Sequence, residues 1–281
     1  MIADDVIKLL RDKNMYAKKQ FGQNFLVDKN ILNKIVEISE ITKDDIIIEI
    51  GPGMGCLTEY LCINAKKVIC YEIDKDMVEI LQNTVVSKYD NVTIINEDFL
   101  KVDLSKYDSE DNCVNVKVVA NLPYYITTPI IFKLLSETKI NQFTFMVQKE
   151  VGERLTGKPN TKDYNSLSVA MNFKTDSKIA YRVKPNCFYP APNVDSVLLL
   201  VKTIKTDCEP NLEAKFLKFV QDIFVQRRKT VINNLTGKYG YDNVSLIKKF
   251  NKVGFRIDLR AESLSTEQIF ELFKYLIAQT D

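Results

Sequence analysis

The chain of 281 residues contains no histidine. Histidine is the side chain that most often performs general acid and base catalysis near pH 7. Its absence excludes Ser-His and Cys-His nucleophile mechanisms. A reaction catalysed by this chain should therefore need little proton transfer from a side chain in its slow step.

The sequence also lacks paired cysteines and long apolar runs. No C-x-x-C pair occurs, and no histidine is present to complete a zinc site, so we expect no metal site. The cysteines are Cys56, Cys62, Cys70, Cys113, Cys187 and Cys208. No run approaches membrane-spanning length, and the acidic start Met1–Asp5 is unlike a basic signal peptide. These features predict a cytoplasmic protein with reduced thiols and no membrane contact.

A large excess of one charge is missing as well. The formal net charge is +2, while 46% of residues are apolar and 27% are charged, which is typical of a globular protein. Any nucleic-acid binding must then depend on local basic patches. Two such patches are Lys18-Lys19 and Arg227-Arg228-Lys229. A run of charges is more often a solvated helix face, and that alternative stays open.

A glycine-rich loop follows the first strongly apolar segment. Asp45–Ile50 reads as a buried parallel strand and runs directly into Gly51-Pro52-Gly53-Met54-Gly55. Glycines at such a junction allow a ligand to approach the backbone closely. The spacing is G-x-G-x-G, whereas a dinucleotide fingerprint requires G-x-G-x-x-G. Cys56 stands where the third glycine would close that spacing, which argues against a pyrophosphate site.

An acidic residue follows the second predicted strand. Lys67–Tyr71 ends in Glu72-Ile73-Asp74, and a carboxylate there can accept hydrogen bonds from both hydroxyls of a ribose. Either acidic residue could instead cap the next helix. We assign the cap to Asp74 and the ribose to Glu72.

The third predicted strand, Val92–Ile95, leads to Asp98. Its carboxylate could accept a hydrogen bond from the amine of an adenine, while Phe99 or Leu100 covers the ring. Aspartate at a strand end is also a common turn former, so this signal is weak alone.

The segment Asn121-Leu122-Pro123-Tyr124 follows a fourth predicted strand, Val116–Ala120. It precedes Thr127-Thr128-Pro129, which reads as a helix start with proline at the first position. The segment is therefore expected at the carboxyl end of a strand, where open α/β sheets bind ligands. Taken alone, it is more often an ordinary turn with a packed aromatic ring.

The order of predicted elements indicates two domains. Strands alternate with helices up to a fifth strand, which predicts an α/β, doubly wound sheet. Two late strands, Lys178–Val183 and Ser196–Lys202, read as a hairpin at the sheet edge. This arrangement resembles the methyltransferase variant of the Rossmann-like sheet. From residue 207 onward only helical periodicity remains. We expect a first domain at 1–206, with an N-terminal arm at 1–27, and a small all-α domain at 207–281.

The sequence resembles the KsgA (RsmA) family nearly end to end. The resemblance implies S-adenosylmethionine (SAM)-dependent dimethylation of two adjacent adenosines in the 3′-terminal hairpin of 16S ribosomal RNA, within the small ribosomal subunit. It also implies a partner that is ribosomal RNA, and we expect a monomer. The matching segments are residues 20–26, 49–55, 71–74, 97–99, 121–126, 188–196, 226–230 and 259–265.

The resemblance implies specific cofactor contacts. Asn24 and Leu26 would lie over the cofactor as part of a covering arm. Gly51 would lie under the methionine portion, Glu72 on the ribose and Asp98 on the adenine. These assignments agree with the roles argued from position alone.

The resemblance places Asn121 where the cofactor and the target base meet. We expect its side-chain oxygen and the Pro123 carbonyl to accept hydrogen bonds from the adenine amine, which localises the nitrogen lone pair. Tyr124 would stack on the flipped base. The basic residues Lys18, Lys19, Arg227, Arg228 and Lys229 would contact RNA phosphates.

Other functions remain open at this point. Relatives that methylate large-subunit 23S ribosomal RNA share most motifs, although they usually have isoleucine where this chain has Leu122. A ribosome assembly factor that binds RNA without catalysis is a second alternative. An NAD-dependent oxidoreductase is disfavoured by the glycine spacing and by the missing histidine.

Overall fold

The β-branched, apolar segments of the sequence form one large sheet in the computed structural model. The structure describes residues 8, 24–107, 115–137, 140–204 and 208–278. The large sheet has the strand order β4-β3-β2-β5-β6-β9-β7, and β1 pairs with β8 separately. The strands are β1 (Phe25–Leu26), β2 (Asp45–Ile50), β3 (Lys67–Glu72), β4 (Val92–Asn96), β5 (Asn115–Asn121), β6 (Gln142–Gln148), β7 (Thr175–Val183), β8 (Phe188–Tyr189) and β9 (Ser196–Thr203).

The first five strands of the large sheet run parallel. β2 pairs in parallel with both β3 and β5, β3 with β4, and β5 with β6. β9 then pairs antiparallel with β6, and β7 lies at the sheet edge beside β9. The doubly wound sheet with two late edge strands is thus confirmed. Strand order reverses between β2 and β5, so their carboxyl ends flank a crevice suited to ligand binding.

Several helices begin at a capping side chain, and the predicted cap at Asp74 is confirmed. Asp28 and Asp74 cap α1 and α3, and Ser265 forms a capping box with Gln268. The fourth helix begins at Thr127, two residues before Pro129, which is not its first residue. The helices are α1 (Lys29–Ile38), α2 (Cys56–Asn64), α3 (Lys75–Leu81), α4 (Thr127–Glu137), α5 (Lys149–Leu155), α6 (Ser166–Lys174), α7 (Pro210–Ile223), α8 (Val231–Leu235), α9 (Asn243–Lys252) and α10 (Thr266–Phe273).

The segment before α1 contains a short strand. Phe25 and Leu26 form β1, which pairs antiparallel with β8 at Tyr189 and Phe188. A two-residue strand is too short to show alternation, and its partner lies far along the chain, so the sequence pattern could not reveal it. Residues 20–23, which belong to the same motif, and the predicted RNA contacts Lys18 and Lys19 lie outside the described residues.

The chain divides into two compact units. The first contains the described residues up to Gly152 together with Lys178–Thr203, and the second contains Glu153–Ser177 and the chain from Ile204 onward. The sequence placed the boundary after residue 206. The structure assigns Glu153–Ser177 to the helical unit because Tyr164 and Val169 are buried in the same apolar cluster as Phe216.

Two features are absent from the described residues. No helix there has both the length and the apolar character needed to cross a bilayer. No group of three or more histidine, cysteine, aspartate or glutamate side chains is placed to hold a metal ion in the same part of the chain.

Candidate active site

A cavity of about 290 Å³ lies in the first unit, at the carboxyl ends of β2, β3, β4 and β5. It brings together all the predicted cofactor and catalytic residues of the described part of the chain. Those residues are Asn24, Leu26, Gly51, Glu72, Asp98, Asn121, Pro123 and Tyr124. Residues separated by almost a hundred positions in the sequence therefore line one site.

The glycine loop has a backbone that other residues would adopt only with strain. Gly51, Gly53 and Gly55 have φ angles of 65°, 57° and 83°. A Cβ on Gly53 would lie 3.1 Å from the ring of Phe25, and a Cβ on Gly55 only 2.6 Å from Val85 Cγ2. At Gly51 the nearest atom would be 4.0 Å away, so space remains over this residue. The loop keeps its shape through these glycines and leaves room for a ligand at Gly51.

Glu72 is held in place by backbone donors. Its Oε2 accepts a hydrogen bond from the Gly53 N–H at 3.1 Å, and its Oε1 accepts one from the Asp74 N–H at 2.8 Å. Burial raises the pKa of the Glu72 carboxyl, and these backbone hydrogen bonds act in the opposite direction. A carboxylate has about four acceptor positions, so the side chain can still accept from two hydroxyl groups.

Asp98 forms the turn that the sequence left open as an alternative to ligand binding. Its Oδ1 accepts a hydrogen bond from the Leu100 N–H at 3.0 Å and caps a short 3₁₀ turn, Phe99–Lys101. Both Phe99 and Leu100 line the cavity beside it. The cap orients the carboxyl group, and the second carboxyl oxygen remains able to accept from a ligand.

Asn121, the last residue of β5, has a defined orientation. Its Nδ2 donates to the backbone carbonyl of Asn24 at 3.0 Å. Because the amide nitrogen is used as the donor, the Oδ1 is the atom that can accept hydrogen bonds. The backbone of Asn24 thus helps to orient the side chain predicted to bind the target amine.

The Pro123 carbonyl already accepts two hydrogen bonds. One comes from the Ile126 N–H at 3.2 Å and the other from the Thr127 hydroxyl at 3.1 Å. A carbonyl oxygen has two lone pairs, so a further donor must compete with one of these. The predicted acceptor role of Pro123 therefore requires an exchange of partners.

The aromatic ring of Tyr124 is anchored at its hydroxyl. This hydroxyl lies 2.9 Å from the Ser196 Oγ, and either atom can donate. Burial raises the pKa of Tyr124, so the phenol is neutral near pH 7.

The described lining of the cavity contains four acidic residues and no lysine or arginine. They are Glu49, Glu72, Glu97 and Asp98. A cleft lined by one sign of charge concentrates ligands of the opposite sign. A cationic ligand is favoured here, and the pyrophosphate of a dinucleotide is disfavoured.

Several residues of the lining were not predicted, among them Phe25, Tyr71, Ile73, Glu97 and Tyr125. Each is adjacent to a predicted site residue, so proximity in sequence was the available signal. Tyr125 is 56% exposed and Ile73 is 50% exposed, so both of these lining residues also face solvent. The mouth of the cavity therefore has an apolar rim.

The basic run Arg227-Arg228-Lys229 is not on a helix. It lies in the connection between α7 and α8, with the Lys229 N–H bonded to the Gln226 carbonyl. Arg227 donates to the Glu262 carboxylate and to the carbonyl of Lys162, and also to that of Thr161 at 3.1 Å. Its guanidinium group therefore links segments of the helical unit. All three basic residues of the run are exposed.

The fold and the cavity together define a class. A parallel sheet closed by an antiparallel β9, with a glycine loop after β2 and carboxylates after β3 and β4, is the Rossmann-like sheet of SAM-dependent methyltransferases. Residues 14–278 match the family described as ribosomal RNA adenine dimethylase. The chain belongs to this family of methyltransferases.

Individual relatives agree with this assignment. The chain is 44% identical to the ribosomal RNA small subunit methyltransferase A of Lachnoclostridium phytofermentans, covering 95% of this chain and 93% of the relative. It is 46% identical to the protein of the same name from Bacillus mycoides, covering 92% and 91%.

Solved structures have the same fold. A dimethyladenosine transferase from Plasmodium falciparum gives a TM-score of 0.74 at 24% identity, covering 89% of this chain and 96% of that one. The 23S rRNA methyltransferase ErmE gives 0.70 at 25% identity, covering 90% and 99%.

Proposed function

We propose that this chain uses SAM to dimethylate the exocyclic amines of two adjacent adenosines in the 3′-terminal hairpin of 16S ribosomal RNA, during small-subunit biogenesis. The observation that carries the proposal is the position of Asn121. This residue orients an acceptor oxygen at one end of an acidic cavity. The acidic lining favours a cationic cofactor, and the Asn121 oxygen can accept a hydrogen bond from a neutral amine next to it.

The residues of the cavity fit SAM. SAM carries a net positive charge, which matches the acidic lining and distinguishes it from NAD. Glu72 retains acceptor capacity for the two ribose hydroxyls, and Asp98 retains an oxygen for the adenine amine. Gly51 leaves space for the methionine portion, while Asn24 and Leu26 line the cavity as the covering segment.

When bound, SAM supplies a methyl group that the amine takes by in-line displacement, the carbon–sulfur bond breaking with its electron pair left on sulfur. Asn121 Oδ1 and the Pro123 carbonyl hold the two amine N–H groups, which favours a pyramidal nitrogen with a localised lone pair. Tyr124 stacks on the extruded base, a contact of about 1 to 3 kcal/mol by analogy with single-strand binding sites. The amine loses its proton after the methyl group arrives, so no histidine is required.

The small-subunit substrate is favoured over the large-subunit substrate by the degree of similarity. Relatives named for the small subunit are 44% and 46% identical to this chain, whereas ErmE is 25% identical. Nucleoside analysis of ribosomal RNA after incubation of unmethylated subunits with SAM tests this choice. Dimethyladenosine is expected in 16S RNA, and product confined to 23S RNA would contradict the proposal.

An Asn121→Ala variant separates catalysis from binding alone. The expected result is loss of methyl incorporation while binding of the small subunit is retained, because the change removes the amine acceptor but no basic residue. Methylation at the parental rate would show that the amine site is wrong. If the parent binds subunits but never methylates them, the chain acts as an assembly factor. The proposed substrate also implies a cytoplasmic location, and we propose that the chain acts as a monomer.

A further inference from the structure

Dimethylation requires one pocket to accept two different amines. The unmethylated amine has two N–H groups, which the proposed function assigns to Asn121 Oδ1 and the Pro123 carbonyl. After the first transfer one N–H has become N–CH₃, so one acceptor loses its donor. An acceptor left without a donor in a buried site disfavours binding of the monomethylated base.

The Pro123 carbonyl has a second donor within the chain. The Thr127 hydroxyl donates to it at 3.1 Å, one helical turn further along, at the start of α4. Thr127 is 1% exposed, so its hydroxyl is shielded from water. A hydroxyl hydrogen turns about a single bond, whereas the Ile126 N–H that also donates to this carbonyl is fixed by the backbone.

We propose that the Thr127 hydroxyl and the target amine exchange places as donors to the Pro123 carbonyl, and that this exchange permits the second methyl transfer. The inference rests on the proposed function of Asn121 and Pro123. The unmethylated amine displaces the Thr127 hydroxyl and uses both acceptors. The monomethylated amine keeps its remaining N–H on Asn121 Oδ1, its methyl group lies beside Pro123, and the hydroxyl returns to the carbonyl. Thr127 is thus a positioning residue that acts through Pro123.

A direct test measures binding without SAM. The probes are two RNA hairpins of the small-subunit 3′ end, one with adenosine and one with N6-methyladenosine at the target position. Thr127→Val keeps the shape of the side chain but removes the hydroxyl. We expect the affinity for the monomethylated hairpin, relative to the unmodified one, to fall about threefold to tenfold, which corresponds to one hydrogen bond. Thr127→Ser retains the hydroxyl and should keep the parental ratio.

The products of the reaction give a second measurement. With SAM present, Thr127→Val should accumulate monomethyladenosine, because its second transfer slows while its first does not. The matched control is Thr175→Val, since Thr175 is also buried and its hydroxyl also donates to the carbonyl four residues earlier, at 2.8 Å from Met171. Neither threonine lines the cavity, but the acceptor of Thr127 belongs to a lining residue, Pro123, whereas the acceptor of Thr175 belongs to Met171, which does not line it. Thr175→Val should change stability, but it should change neither the relative affinity for the two hairpins nor the proportion of monomethylated product.

Defined outcomes would overturn the inference. A Thr127→Val protein that binds both hairpins in the parental ratio, or that slows both transfers equally, has lost only a structural hydrogen bond. If the valine variant does not fold, Thr127→Ala removes the same hydroxyl and the same ratio applies. If the parent protein shows no methylation, the proposed function is contradicted. The ratio of affinities for the two hairpins would still test the role of Thr127.

Discussion

The Tyr124 hydroxyl lies 2.9 Å from the Ser196 Oγ, which joins the loop after β5 to the first residue of β9. Ser196 is fully buried, and it pairs with Gln148 across the antiparallel β6–β9 ladder. The ring of Tyr124 is therefore held from its far end by a rigid part of the sheet. A phenylalanine could stack on a base equally well, so the hydroxyl serves to orient the ring.

Removing either partner of this hydrogen bond should reduce turnover. We expect Tyr124→Phe and Ser196→Ala each to lower kcat for methyl transfer roughly tenfold, because a misplaced base departs from the geometry needed for in-line attack. SAM affinity, measured by calorimetry, should be unchanged. The double variant should be no slower than either single one, since both remove the same interaction.

Ser39→Ala is the control for this pair. Ser39 is also buried in the first unit, and its hydroxyl donates to the Ile35 carbonyl at 2.7 Å, away from the cavity. Its variant should show a similar decrease in Tm with parental kcat. If the effects of Tyr124→Phe and Ser196→Ala on kcat multiply, the two groups act independently and the orienting role is wrong.

The glycine loop offers a test of the cofactor site. In Gly53→Ala the new Cβ meets the Phe25 ring at 3.1 Å, and the N–H that holds Glu72 shifts. We expect SAM affinity to fall at least about tenfold, the value of one hydrogen bond to a charged group. Gly254→Ala has the same positive-φ strain but no atom within 4 Å of the new Cβ. Both variants should lose about 1 kcal/mol of stability, yet only Gly53→Ala should weaken SAM binding.

Within the basic run, we expect Arg227 to stabilise the fold and Arg228 and Lys229 to bind RNA. Arg227→Gln removes the links to Glu262, Lys162 and Thr161, so it should lower Tm. Arg228→Gln and Lys229→Gln should leave Tm unchanged but weaken binding of the small-subunit RNA. Each should also reduce the log-log salt dependence of binding by about 0.7, the value for one phosphate contact on single-stranded RNA.

Lys248→Gln removes an exposed positive charge elsewhere in the helical unit and serves as the control. An equal loss of RNA affinity in this variant would indicate a general effect of net charge. An unchanged salt dependence in both Arg228→Gln and Lys229→Gln would remove these residues from the RNA surface.

Much of the sheet and its caps could be predicted because they follow local rules. The β2 strand is a continuous apolar run, and Asp74 and Asp28 precede helices in the usual cap position. The site residues followed from these strands, since the ends of parallel strands meet at one edge. The local sequence pattern was sufficient to predict the position of a residue wherever a single strand or helix determined that position.

Long-range contacts could not be predicted in the same way. The β1–β8 pairing joins two short strands more than 160 residues apart, for example Phe25 with Tyr189. The link between Arg227 and Glu262 joins a turn to a distant 3₁₀ helix. The sequence does not indicate which residue a charged side chain will contact. The structural role of Arg227 could therefore not be distinguished from RNA binding by a basic patch.

Glu49 in β2 predicts a dependence of stability on pH. It is 2% exposed, and burial raises the pKa of its carboxyl from 4.5 to about 7, although the Cys70 thiol donates to its Oε2 at 3.4 Å. The native state therefore binds more protons than the unfolded state between these pH values, so the contribution of Glu49 to stability falls as pH rises from about 4.5 to 7. Glu49→Gln removes this titration.

The free energy of unfolding of Glu49→Gln, compared with the parent by urea titration, should shift in favour of the variant between pH 5 and pH 8. The shift is at most roughly 3 kcal/mol, because one pKa unit corresponds to about 1.4 kcal/mol. The control is Glu37→Gln, which removes a carboxyl of the same unit whose side chain is 70% exposed. A constant difference between Glu49→Gln and the parent across this range would mean that Glu49 ionises normally, and the acidic cavity would then carry one more negative charge at neutral pH.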